Sequence, residues 1–378
     1  MNKKRLLAGL LAFVMIFALS ACSSKDEPAE TPPADSGASD SGDAPAVSVK
    51  PNITPEKTDI TIGTLNSTAH LLAFVAQEEG FFEEEGLTSQ VTPFASAGEL
   101  VTGLESDKLD VAFIGSVPTI TNQSNGHDIT IFGGAMTNGH GYVIKKEFTE
   151  GVSDIDITLL KGRNIASVRN SIQDLELLVL LDEAGIEVGE GADQANIVYF
   201  ESQKDAFAAL AGAEIDAASV YSPYASIAKN QGYEVLYYCN EVDDFHNQPC
   251  CRQVAATAAL ADRPQTYLAI ERAFIKAYKF SQENHEKTIE DVKVYIDLDP
   301  ADLDYEIYGG HSVSNPDPDS AATTALKEKV VSFGYTEDFD GPYFNVDIYK
   351  QAIETLIAEF PEDALYQQLL GDFAARNA

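Results

Sequence analysis

The side chains most able to do chemistry crowd into one run, His246-Asn247-Gln248-Pro249-Cys250-Cys251-Arg252, with a further thiol at Cys239 and a further imidazole at His140. Three arrangements fit these types. His140, His246, Cys250 and Cys251 could surround iron or zinc, but zinc sites usually separate paired cysteines by about two to four residues, and adjacent thiols seldom serve one ion. A disulfide from Cys239 to Cys250 or Cys251 would leave one thiol over. Small buried cysteines packed at a chain crossover need no ligand at all. The spacing leads us to expect no metal, no cofactor and no catalytic residue. His70, His127 and His311 stand at no ligand spacing, no glycine-rich phosphate loop occurs, and no serine sits in a nucleophile elbow. Arg169 and Arg252 are the candidate charged anchors, because a guanidinium fork pairs bidentately with carboxylate or sulfonate oxygens. For each, a salt bridge at the surface or between lobes is the alternative.

Hydroxyls at helix starts offer binding rather than reaction. Ser96 with Glu99, Ser171 with Asp174 and Ser202 with Asp205 have the spacing of a capping box or its Asp variant, in which the serine oxygen accepts from the N3 amide. Ser116 and Ser222 read as simpler caps, with Pro118 and Pro223 in the first turn. Each helix follows a strand directly, so its N-terminus and partial positive charge lie at the strand's carboxyl end. The loops Asn66-Ser67-Thr68, Thr137-Asn138-Gly139-His140 and Arg169-Asn170-Ser171 fall at the same edge. Hydroxyls, amides and backbone N–H groups converging there suit a small anionic or polar solute. A Glu99, Asp174 or Asp205 carboxylate turned outward would favour an amine instead, and any single serine could simply stabilise its own helix.

The elements that must hold these residues alternate strand and helix from residue 58 to 250, which indicates βαβ units and a mainly parallel sheet. Shifting the chain by 106 residues places Phe94 on Phe200, Ser96 on Ser202, Leu104 on Leu210, Asp110 on Asp216, Ala112 on Ala218 and Ser116 on Ser222. Two α/β lobes on one plan follow, with a cleft where their strand ends face each other. After Arg252 the apolar spacing becomes helical over Pro264 to Asn284, Ala321 to Ser332 and Val346 to Phe360, a tail expected to cap the first lobe.

Ahead of the lobes, Lys3, Lys4 and Arg5 precede the apolar run Leu6 to Leu19, and Leu19-Ser20-Ala21-Cys22 closes a secretory signal over residues 1–21. That ending resembles the bacterial lipobox, so Cys22 is the expected lipidation site, anchoring the chain outside the cytoplasm. Residues 22–57 are rich in Ser, Asp, Glu, Pro and Ala, and read as a solvated, disordered tether. The formal charge of -35 becomes -38 once the signal's three cations are removed. So acidic a surface repels nucleic acid and anionic lipid headgroups.

The chain resembles the periplasmic solute-binding proteins for nitrate, aliphatic sulfonates and taurine, together with thiamine-pyrimidine precursor binders. The resemblance is carried by Ala76-Gln77-Glu78-Glu79-Gly80-Phe81-Phe82-Glu83-Glu84-Glu85-Gly86-Leu87, by Gly98-Glu99-Leu100, by Leu109-Asp110-Val111-Ala112-Phe113 and by Leu160-Lys161-Gly162-Arg163-Asn164-Ile165-Ala166. It implies a periplasmic-binding-protein type II fold, with lobe I from 58–145 and 250–378, lobe II from 146–249, and a two-crossover hinge. It implies ligand contacts from Asn66, Ser67 and His70, from Ser96 and Ser116, from Asn138 and His140, and from Ser171 and Tyr221, with Arg169 and Arg252 added from the reading above. The implied function is delivery of a small anionic or polar solute to an ABC permease by a monomer that does no chemistry on it. The chain has no Trp, so a heterocyclic or amine solute, the alternative ligand class, would stack on Tyr142, Tyr221 or Tyr224. Eukaryotic pyrimidine synthases of the superfamily carry a cysteine-rich run in the region of Cys250, which makes a metal-dependent enzyme the third reading.

Overall fold

The computed structural model describes residues 51–377. The signal segment, Cys22 and most of the expected tether lie outside them. In chain order the strands are β1 (Asp59–Thr64), β2 (Thr88–Pro93), β3 (Val111–Gly115), β4 (Ile129–Asn138), β5 (His140–Ile144), β6 (Asn164–Val168), β7 (Asn196–Phe200), β8 (Ala217–Tyr221), β9 (Glu234–Tyr238), β10 (Pro249–Ala256) and β11 (Ser312–Ser314). They form a six-stranded sheet in the order β11-β4-β10-β3-β1-β2 and a five-stranded sheet in the order β7-β6-β8-β5-β9.

The two sheets share one plan. β2-β1-β3 and β7-β6-β8 are parallel trios, each followed by a strand that runs antiparallel to its neighbours, β10 in the first sheet and β5 in the second. The offset of 106 residues read from the sequence carries Val111–Gly115 onto Ala217–Tyr221, so β3 and β8 are equivalent strands at equivalent sheet positions. The helices Ala97–Glu105 and Gln203–Leu210 start at the same offset. β3 is an almost unbroken apolar run because helices cover both faces of its sheet. Phe113 meets Phe274 edge to face, with ring centroids 5.3 Å apart.

The first crossover differs from the reading that kept residues up to 145 in lobe I. Asn138 and Gly139 both take left-handed backbone conformations, φ 58° and 85°, and this kink ends β4 and starts β5 in the other sheet. A short polar Asn and a Gly are the residues that tolerate such geometry. The return crossover leads into β10.

The ends of the described chain also differ from expectation. Ile53 packs on the apolar core, Glu56 accepts from the Thr266 and Gln265 amides at 2.8 and 3.1 Å, and Lys57 pairs with Asp110 at 2.7 Å. This part of the expected tether is therefore docked, its carboxylate satisfying amides at a helix start. One part of the tail reaches both lobes. Helices Pro264–Glu283, Val346–Glu359 and Ala364–Arg376 share an apolar cluster, whereas Leu326 and Val330 of helix Ser320–Ser332 belong to a cluster with Val117 and Ile120 of the first lobe and Ile165, Leu175 and Leu236 of the second. Among the described residues no helix is long and apolar enough to cross a membrane.

Candidate functional site

Six strand ends meet at one cavity of about 300 Å³. Leu65 follows β1, Ala95 and Ser96 follow β2, and Gly115 ends β3; opposite them Val168 ends β6, Glu201 and Ser202 follow β7, and Tyr221 ends β8. The carboxyl ends of both parallel trios thus form its walls, while His70, His140, Cys250 and Cys251 complete the lining.

The serine caps lie where the capping spacing puts them. Ser96 Oγ accepts from Glu99 N at 3.3 Å, Ser171 Oγ from Asp174 N at 3.2 Å and Ser202 Oγ from Asp205 N at 3.1 Å. All three serines line the cavity. The paired carboxylates are not among the lining residues. Glu99 Oε2 accepts from Ala95 N at 3.0 Å, and Asp205 Oδ2 from Ser202 Oγ at 2.8 Å. Asp174 accepts from Ser167 Oγ at 2.8 Å and Tyr335 OH at 2.7 Å. Three helix N-termini thus face the cavity, two of them with their acids bonded to lining residues, Glu99 to Ala95 N and Asp205 to Ser202 Oγ. Arg169 is the lining residue with a permanent positive charge, its guanidinium held 3.7 Å from the centre of the Tyr199 ring. Glu201 is the lining carboxylate.

Of the residues named from the sequence, Ser67, His70, Ser96, His140, Arg169, Ser171 and Tyr221 come together here. The others do not. Asn66 is exposed and bonds Tyr224. Ser116 is the first residue of its helix rather than the cap, which is Gly115, and its buried Oγ has no partner among the described residues. Asn138 turns inward at the sheet switch, donating to Phe245 O at 2.6 Å. Arg252 is 2% exposed and buries its guanidinium against Cys251 O at 2.9 Å and Thr323 Oγ1 at 3.2 Å. His246 is exposed and away from the lining, and Tyr142 and Tyr224 are buried behind it. Ser222 is no cap either; it joins the lobes, receiving Ser67 Oγ at its carbonyl at 2.9 Å and giving its own hydroxyl to Glu306 at 2.5 Å.

Sequence reading missed what surrounds His140. Its Nε2 lies 3.1 Å from Cys250 Sγ, and its Nδ1 lies 3.2 Å from Glu176 Oε1 and 3.7 Å from Cys239 Sγ. Burial opposes a charge on this ring, but Glu176 and Cys239 outweigh burial and raise its pKa well above the ordinary value of 6.5. Glu176 is a fully buried carboxylate between Leu175 and Leu177. That interruption of an apolar helix face was the available signal. Cys239, Cys250 and Cys251 are buried, unbridged thiols, so the disulfide reading fails, although the Cys250 and Cys251 sulfurs are 3.3 Å apart. Burial pushes the Cys250 thiol up, whereas Cys250 itself, then His70 and His140, hold Cys251 well below the ordinary thiol range.

This two-lobed architecture has known counterparts. The periplasmic nitrate-binding protein NrtA from Synechocystis PCC 6803 superposes with a TM-score of 0.68 at 16% identity, covering 80% of this chain and 90% of that one. The periplasmic aliphatic sulphonate binding protein SsuA from Escherichia coli gives 0.60 at 18% identity over 74% of this chain and 92% of its own. In sequence, YtlA of Bacillus subtilis (strain 168), which carries the name of a binding protein, is 25% identical over 253 residues, 65% of this chain and 73% of that protein. The NMT1-like family description matches residues 53–294, which span every strand but β11 and every residue lining the cavity. With more than half of its length so matched, the chain belongs to the NMT1-like family.

Proposed function

We propose that this chain is the extracytoplasmic binding component of an ABC importer. It captures a small anionic or polar solute, of the sulfonate, taurine, nitrate or carboxylate type, between its lobes and hands it to a permease without chemical change. The observation that carries this reading is the cavity itself: three serine-capped helix N-termini and Arg169 face one space, and none of the three capping carboxylates is among the lining residues. Amide dipoles and hydroxyls stabilise an anion with little need for formal positive charge, which suits so acidic a protein. The nitrate and sulphonate binders of the same fold support the solute class, and YtlA supports binding as the role. Ser67, His70, Ser96, His140, Arg169, Ser171 and Tyr221 are the proposed ligand contacts. An aromatic solute finds one tyrosine, Tyr221, in the lining, which disfavours the heterocycle reading. Anchoring through a lipidated Cys22 completes the proposal.

A thermal-shift screen over sulfonates, nitrate, carboxylates, amines and pyrimidines tests it, since a ligand bound to the folded state alone raises the melting temperature by mass action. At least one anion is expected to shift the transition and to be recovered unaltered. A shift confined to amines or pyrimidines, or a changed solute, contradicts the reading.

A further inference from the structure

Behind the cavity wall, three chemically different ligand groups from separate parts of the second lobe converge. His140 opens β5, Glu176 sits mid-helix in Ile172–Glu183, and Cys239 follows β9. All three are buried, and Nδ1, a carboxylate oxygen and Sγ lie within 4.8 Å of one another. A tetrahedral zinc ion with ordinary bond lengths separates nitrogen from oxygen by about 3.4 Å and nitrogen from sulfur by about 3.6 Å. The distances here are 3.2 Å from Nδ1 to Glu176 Oε1 and 3.7 Å from Nδ1 to Cys239 Sγ. We propose that His140 Nδ1, Glu176 and Cys239 Sγ bind one zinc ion, or a divalent ion of similar softness.

Two further features support the site. A thiolate and a carboxylate neutralise a divalent ion, so a group of charges that is costly to bury becomes neutral overall. The surrounding side chains are donors aimed at the anionic ligands, as outer partners of a metal should be. Gln248 Nε2 donates to Glu176 Oε1 at 2.8 Å, Tyr142 OH to Glu176 Oε2 at 3.4 Å and Asn138 Nδ2 to Cys239 Sγ at 3.5 Å. Metal on Nδ1 fixes the proton on Nε2, which then donates to Cys250 Sγ, 3.1 Å away in the cavity wall. The fourth position is left to the second carboxylate oxygen or a water. This site shares His140 with the one weighed from the sequence but replaces His246, Cys250 and Cys251 by Glu176 and Cys239, and it does not rest on the transport reading.

The test uses the full chain, reduced and stripped with chelator, then dialysed against zinc and analysed for metal content. One zinc per chain is expected, with a thiolate-to-metal charge-transfer band when cobalt replaces zinc. Cys239→Ser is expected to lose the band and the stoichiometric metal. Cys251→Ser, which touches none of the three ligands, retains both, and Gln248→Leu weakens zinc affinity about tenfold. Circular dichroism checks that each variant folds; if Glu176→Gln does not, Cys239→Ser decides alone. Wild-type protein that takes up no zinc, a Cys239→Ser variant that keeps the band, or loss of the metal from Cys251→Ser overturns the proposal.

Discussion

Glu271 is a buried carboxylate in the interior of helix Pro264–Glu283, with neither oxygen in good hydrogen-bond geometry. Burial raises its pKa well above 4.5, and the nearby Gln253 amide relieves only part of that effect. The folded chain therefore holds a proton that the unfolded chain releases above about pH 4.5, and this group's contribution to stability falls as pH rises from there. Glu271→Gln removes the slope: urea unfolding is expected to show a larger gain over wild type at pH 8 than at pH 5. Equal gains at both pH values contradict the assignment. Residues of this kind separate what the sequence discloses from what it hides. Ser96, Ser171 and Ser202 were legible because a cap is a contact across three residues. Arg252 was misread because whether a strand residue faces the cleft or the core depends on the sheet it joins.

At the scale of elements, the same division recurs. Helix caps contribute about 1 kcal/mol each, so Ser202→Ala is expected to lower stability by about that amount in denaturant unfolding. A loss within error would show that the Asp205 side chain alone holds the helix start. The ionic cluster joining three helical segments was invisible in the sequence, because its partners are far apart along the chain. Arg272 Nε meets Glu85 at 2.7 Å, Arg272 Nη2 meets Glu359 at 2.5 Å, and Lys276 meets Glu85 at 2.5 Å. Arg272→Ala leaves the buried Glu85 with Lys276 as its remaining cation and is expected to cost about 2–3 kcal/mol, less than the loss of a sole partner. Burial opposes ionisation of Glu85, but Arg272 and Lys276 outweigh it and hold its pKa below 4.5. Its contribution is therefore present above that pH and lost as pH falls through the lowered value. The wild type is expected to lose stability on acidification through this window, and Glu85→Gln to lose less. The sheet switch shows the other limit: Asn138-Gly139 is visible as a turn, but nothing local says that the next strand joins a different sheet.

Across the whole molecule, the repeat of strand, serine and helix disclosed two lobes on one plan, while the contacts that clasp them came from outside it. Ser222 at the end of β8 takes Ser67 Oγ on its carbonyl, and Glu306 of helix Pro300–Tyr308 accepts from Ser222 Oγ and from Ser226 N at 3.0 Å. Glu306 is thus a clasp between the returning chain and the second lobe. Closure adds stability only where ligand and clasp favour the same arrangement. Glu306→Ala is expected to weaken solute affinity and to enlarge the particle in solution scattering; unchanged dimensions and affinity would remove the clasp from the account. The central claim is that solute sits between the serine-capped helix starts, and Gly98 offers the most direct test of it. Gly98 lines the cavity, and a Cβ added there meets nothing nearer than Ser96 Oγ at 3.9 Å, so Gly98→Trp fills the space with little strain on the fold. Calorimetric titration of the screened solute is predicted to show binding to wild type and none to folded Gly98→Trp protein. Equal affinity in the two would contradict it.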